Sequence, residues 1–256
     1  MQTTKEFIKD NMKVKIYSSR KDMGKAAAYE IKERIVDLLK TKDEINMIFA
    51  AAPSQNEVLE SLINDKDIEW NKINAFHMDE YIALSEIDRD KSFGTFLTEH
   101  IFSCVPFKSV NLINATNTAK DECVRYGNLL KQYPTDIVVM GIGENGHIAF
   151  NDPPVADFND SEIIKPVKLD EICRQQQVND GCFPSIDRVP THALTLTCPT
   201  LFSGDYLFCI VPAKTKATAV YDTINAEINE KCPATILRNH KNAVLYLDNE
   251  SSSKLV

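Results

Sequence analysis

The chain has no Cys-x-x-Cys pair; its seven cysteines are scattered and odd in number. A protein of 256 residues can bury enough apolar surface to need no covalent staples. Such cysteines predict reduced thiols rather than a disulfide framework or a Cys-ligated zinc site. No apolar run approaches the length of a membrane span, and Met1–Glu6 carries no apolar leader core. The expectation is a cytoplasmic protein without a membrane partner. Basic charge is not in excess either: the net charge is −8 and the pI is about 5.2. That argues against nucleic acid as a partner, although local lysines and helix N-termini can still hold a phosphorylated metabolite. There is no Pro/Gly/Ser linker, internal repeat or low-complexity tract, so one domain over residues 1–256 is expected.

What the chain does contain is an alternation of short apolar runs with helical patterns. Ala26, Ala27, Ile31, Ile35, Leu38 and Leu39 predict a helix over 22–40. Strands are predicted at 45–50, in the first half of 73–82, and at 136–140, 193–197, 207–211 and 243–248. Further helices are predicted at 95–105 and 120–131, and Ser251–Val256 is expected to fray. This pattern reads as α/β: a single-domain Rossmann-like layered fold with a mainly parallel sheet flanked by helices. Six or seven strands are too few for an eight-unit barrel.

The stretch Gly141-Ile-Gly-Glu-Asn-Gly-His-Ile-Ala-Phe-Asn-Asp-Pro153 follows the apolar run that ends at Met140. Its Gly-x-Gly-x-x-Gly spacing is that of a dinucleotide fingerprint, but that fingerprint must open a helix. Pro153 and Pro154 come too soon. The glycines instead suit a catalytic loop displaying His147 and Asp152 for proton transfer. Asp79 and Glu80 stand at the end of another strand, where open α/β sheets bind ligands. Either could be a base; the bland alternative is that one caps the next turn or meets an arginine. His77 with Asp79 makes a poor metal pair, and neither a metal nor a cofactor is expected.

Two strand-to-helix junctions are candidate anion sites. Ser54 and Glu57 have capping-box spacing, so Ser54 either caps the helix or yields that place to a phosphate. Lys214 and Lys216 lie in the first turn of another helix, where cations oppose the dipole unless an anion is bound. Residues 151–180 begin with an Asp/Asn/Pro-rich loop and continue through Asp170–Gln177, a lid-like segment.

Phe76-His-Met-Asp-Glu-Tyr81 together with the glycine loop resembles the glucosamine-6-phosphate deaminase/isomerase family, related to 6-phosphogluconolactonase. The likeness runs from about residue 20 to residue 248 and includes Val189–Thr195. The resemblance implies that Asp79 takes the proton from C2 of an amino-sugar 6-phosphate and that His147 opens the pyranose ring. It implies an acid supporting that histidine, here Asp152 in place of the usual Glu, and Asn145 at a position that is Asp or Asn. The Ala50–Gln55 loop departs from the family's Gly/Thr/Ser-rich phosphate turn, so Ser54 and Gln55 are the expected side-chain donors. Lys216 and Arg174 are the expected cations, and Glu80 and Gly143 complete the substrate contacts. The expected activity is conversion of glucosamine 6-phosphate, or galactosamine 6-phosphate, to a ketose 6-phosphate and ammonia. A sugar-phosphate lactonase, which would need His147 but not Asp79, and a non-catalytic phosphosugar-binding protein of the same fold stay open, as does a homo-oligomer.

Overall fold

The computed structural model describes residues 3–255. The chain opens with a hairpin, β1 (Lys5–Lys9) and β2 (Met12–Tyr17), followed by α1 (Arg20–Leu38). Next come β3 (Ile45–Phe49), α2 (Asn56–Ile63), β4 (Ile73–His77), β5 (Asp79–Tyr81) and α3 (Phe93–Leu97). They are followed by β6 (Ser109–Asn111), α4 (Ala119–Gln132), β7 (Ile137–Met140), β8 (Ile164–Lys168) and α5 (Glu171–Asn179). The last elements are β9 (His192–Leu196), α6 (Cys198–Phe202), β10 (Tyr206–Val211), α7 (Ala217–Asn225) and β11 (Ala243–Asp248).

Eight strands form one sheet in the order β1-β2-β11-β10-β7-β3-β4-β6. Every pairing in it is parallel except the β1–β2 hairpin. The central strands β3, β4 and β7 are buried at every position, as expected when helices cover both faces of a parallel sheet. Successive side chains point to opposite faces. Met47, Phe49, Ile137 and Val139 pack with Ala27, Ile31, Val58 and Leu62 of α1 and α2. Ile48, Val138 and Met140 pack with Tyr126 and Leu130 of α4 and with Val220 and Ile224 of α7. The result is helix, sheet, helix. No helix among the described residues is long and apolar enough to cross a membrane.

Several features add to or differ from the sequence reading. The N-terminal hairpin lies outside the predicted strands: lysines alternate with apolar residues in Met12–Tyr17, and Lys5–Lys9 holds only Phe7 and Ile8 between charged residues. Its turn was legible in principle: Asp10 takes a left-handed φ of 53°, and Asp-Asn suits such a turn. The strand expected in the first half of 73–82 is β4, and the chain breaks out of it at Met78. β4 stays in the main sheet, whereas β5 joins an antiparallel sheet in the order β5-β9-β8. The charged and amide-rich stretch Asp170–Gln177 falls almost wholly in α5. Finally, Ser251 and Ser252 are buried rather than frayed, with the Ser251 amide donating to Asp248 Oδ1 at 2.7 Å. Val256 lies outside the described residues.

Candidate active site

The carboxyl ends of four parallel strands meet around one cavity. β3 leads into Ala50–Ala52, Ser54 and Gln55, β4 into Met78 and Asp79, β7 into Gly141–Gly143 and His147, and β10 into Lys216; all of these line it. Gln176 and Gln177 of α5 and Asp180 just past its end close the remaining side. Ligands collect at this edge of an α/β sheet because strand-to-helix loops present backbone N–H groups there. Asp79 and His147 face the same cavity, although their strands are not neighbours: β3 runs between β4 and β7.

The glycine loop exists to seat one imidazole. The Gly143 amide donates to the His147 carbonyl at 2.9 Å and the Gly146 amide to the Gly143 carbonyl at 3.0 Å. Gly146 has φ +84°, which favours glycine. At Gly143 the reason is space. A Cβ there would lie 2.1 Å from His147 Cε1 and 2.3 Å from both ring nitrogens. Behind the ring, His147 Nδ1 is 2.7 Å from Asn145 Oδ1 and 2.9 Å from Asp152 Oδ1. Both partners accept, so Nδ1 carries the proton and Nε2 keeps its lone pair.

Asp152 is itself held, by the Asn145 amide at 3.0 Å and the Asp170 backbone N–H at 3.1 Å. Burial opposes its charge. His147 and the hydrogen bonds from His147, Asn145 and Asp170 outweigh that and keep its carboxyl below the ordinary range. The shorter Asp side chain therefore still reaches the histidine.

Asp79 has the opposite electrostatics. It is 7 % exposed, and burial, with the Glu80 charge beside it, pushes its carboxyl well above the usual carboxylate range. Glu80 does not line the cavity. It accepts from the amides of Tyr81, Phe93 and Gly94 at 2.9, 3.1 and 2.8 Å, capping the first turn of α3. The bland reading thus fits one acid of the pair, and Asp79 is the one left facing the cavity.

At the other end, Gln55 is fully buried. Its Nε2 donates to Ser54 Oγ at 3.0 Å and reaches the carbonyls of Met140 and Ile210 at 3.5 and 3.4 Å. Its Oε1 has no partner among the described residues. Ser54 does not cap α2, and the capping box is not formed, because Glu57 pairs with Arg20 of α1 at 2.6 Å. Neither α2 nor α7 starts with a side-chain cap; each continues from a preceding turn, with the Asn56 amide on the Pro53 carbonyl and the Ala217 amide on the Lys214 carbonyl. Lys214 is exposed and Lys216 is buried in the cavity wall. Burial pushes the Lys216 ammonium down, while Asp180 and Glu144 push it back.

Arg174 is not brought to the cavity. Its Nη2 is spent on the carbonyls of Ile186 and Val189 at 2.7 and 2.9 Å. The face of α5 turned inward carries Cys173, Gln176 and Gln177, with Asp180 just beyond its end, at three- and four-residue spacing. Arg174 falls off that stripe. Gln177 and Asp180 were missed in the sequence, where only the helical spacing could have indicated them. Asp180 is fixed by Gln176, whose Nε2 lies 3.3 Å from it and whose Oε1 accepts from the Glu144 amide at 2.8 Å.

A family model described as glucosamine-6-phosphate isomerases/6-phosphogluconolactonase matches residues 18–246. Glucosamine-6-phosphate deaminase of Listeria monocytogenes is 32% identical over 241 residues, covering 94% of this chain and 99% of the relative. The deaminase of Bacillus cereus is 32% identical over 228 residues, covering 89% and 83%. Among solved structures, one described as a monomeric glucosamine-6-phosphate deaminase aligns at 28% identity and TM-score 0.83, covering 94% of this chain and 98% of that one. A 6-phosphogluconolactonase from Thermotoga maritima aligns at 20% identity and TM-score 0.73, covering 92% and 98%, a likeness of fold.

Proposed function

The chain belongs to the glucosamine-6-phosphate isomerase/6-phosphogluconolactonase family, and from that premise we propose that it is an amino-sugar 6-phosphate deaminase. It would convert glucosamine 6-phosphate, or its galactosamine epimer, and water to a ketose 6-phosphate and ammonia. The observation that carries this reading is Asp79: a second carboxylate facing the histidine's cavity, which hydrolysis of a lactone does not require. His147 takes and returns the proton that opens the ring, through Nε2. Asn145 and Asp152 keep its other nitrogen protonated and steady the imidazolium. Asp79 then carries the C2 proton toward C1 in the aldose-to-ketose step. A carboxyl raised by burial is a stronger base than an ordinary carboxylate once ionised. No step needs a metal or a cofactor. The test is release of ammonia and ketose phosphate across a panel of amino-sugar 6-phosphates; lactone hydrolysis without ammonia would move the chain to the other branch.

Ser54, Gln55 and Lys216 are the proposed phosphate ligands. Lys216→Ala should weaken binding of the phosphorylated sugar about ten-fold or more, the equivalent of one charge-assisted hydrogen bond. The rate at saturation should change less. Affinity for the phosphorylated sugar against its unphosphorylated parent measures this, and an unchanged preference would place the anion site elsewhere. Asp180→Asn should act in the opposite sense. It removes a carboxylate that opposes a dianion, so binding of the phosphorylated sugar should tighten, more at low salt than at high.

A further inference from the structure

We propose that His147, Asp152 and Cys173 form a binding site for a thiophilic divalent cation of the zinc type, and that its occupation switches the enzyme off. The three residues come from the glycine loop, the turn that follows it and α5. Their ligand atoms, an imidazole nitrogen, a carboxylate oxygen and a thiol sulfur, all lie within 4.8 Å of one another. His147 is 7 % exposed and the other two are fully buried. No Cys-x-x-Cys spacing announced the site, because the fold assembles it from positions 147, 152 and 173.

The donor set selects the ion. Bonds of about 2.0–2.3 Å to nitrogen, oxygen and sulfur put the ligands of one zinc roughly 3.5–4 Å apart. His147 Nδ1 and Asp152 Oδ1, now 2.9 Å apart, would part slightly, and the cluster, which spans no more than 4.8 Å, would draw in around the ion by side-chain adjustment. A thiolate and an imidazole disfavour magnesium and calcium, which want oxygen shells. Asp152 and an ionised Cys173 together balance a double positive charge. The Asp170 amide on the second oxygen of Asp152 supplies outer-shell support, and Asn145 Oδ1, 2.7 Å from His147 Nδ1, is a further oxygen donor.

Binding would cost the thiol its proton, released to solvent. The imidazole proton would move from Nδ1 to Nε2 as the ion takes Nδ1. Nε2 then has no lone pair facing the cavity, so His147 can no longer accept the ring proton, and Asp152 is no longer its partner. Inhibition rests on the proposed role of His147; ion binding does not.

The test is titration of chelator-treated protein with Co2+ and with Zn2+. In wild type, Co2+ should give a near-ultraviolet thiolate charge-transfer band and the visible bands of a low-coordinate ion. Ammonia release should fall in step with either ion and return on chelation. Cys173→Ser should lose the charge-transfer band. It should also need at least the roughly 10- to 100-fold more metal that loss of even an outer-shell partner demands. Because Cys104 is exposed, Cys104→Ser is the control and should behave as wild type. Absence of a thiolate band in wild-type protein at saturating Co2+ would overturn the site, whatever the variant does. Equal metal sensitivity in Cys173→Ser would overturn it too. A band that forms without loss of activity would refute the switch, whereas absence of ammonia release from metal-free protein would refute the deaminase reading alone.

Discussion

Asp79→Asn should lower turnover of the amino-sugar phosphate by about 10²–10⁴-fold, the usual contribution of one positioned base, and should abolish exchange of the C2 proton with deuterated solvent. The amide keeps the shape of the carboxylate and some of its hydrogen bonding, so phosphate affinity should hold. The same substitution should make the protein more stable. Burial and Glu80 raise the Asp79 carboxyl in the folded state. Between its ordinary and its folded pKa the native state therefore binds more protons than the unfolded chain. Stability then falls as pH rises through that window and stays lower above it. Asparagine has no charge to bury, so the melting temperature of Asp79→Asn should exceed that of wild type at neutral pH and converge with it in acid. Wild-type activity should correspondingly fail on the acid side at a pH above that of an ordinary carboxylate, because Asp79 must ionise to accept a proton. Full turnover by the variant would remove Asp79 from the chemistry and favour the lactonase reading.

The residues expected to carry chemistry were legible where backbone and ligand geometry are both local. Asp79 and His147 each follow a wholly buried strand, and a parallel sheet sends all such strand ends to one edge. Register on a helix is less forgiving. Arg174 lies one residue from Cys173, and a 100° turn is enough to aim it at loop carbonyls instead of the cavity. Ser54 and Glu57 have the spacing of a capping box, but Arg20, distant in sequence, takes Glu57 for itself. A tertiary ion pair overrides a local motif, and no reading of residues 50–60 alone could find it. The N-terminal hairpin illustrates the same limit: half of its residues are lysine, glutamate or a turn residue, and only pairing with β11 makes β2 part of the core sheet.

Gly143→Ala should cost at least about 10²-fold in kcat/KM while leaving the protein folded. The added methyl would sit 2.1 Å from His147 Cε1, so either the imidazole or the loop must move by more than an ångström. Displacement on that scale at a reacting group is sufficient for such a loss. Moving the ring also separates Nδ1 from Asn145 and Asp152, which fix the tautomer on which Nε2 depends. The stability cost should stay within the roughly 1–3 kcal/mol of an overpacked site, because the loop borders a cavity rather than the sheet core. Binding of the phosphorylated sugar should survive, since Ser54, Gln55 and Lys216 stand on other elements. A double-variant cycle isolates the cause. If the methyl acts only by displacing the histidine, Gly143→Ala combined with His147→Ala should be no slower than His147→Ala alone. Additive losses would instead mean that Gly143 meets the substrate directly, with its absent side chain making room for the sugar rather than for the ring.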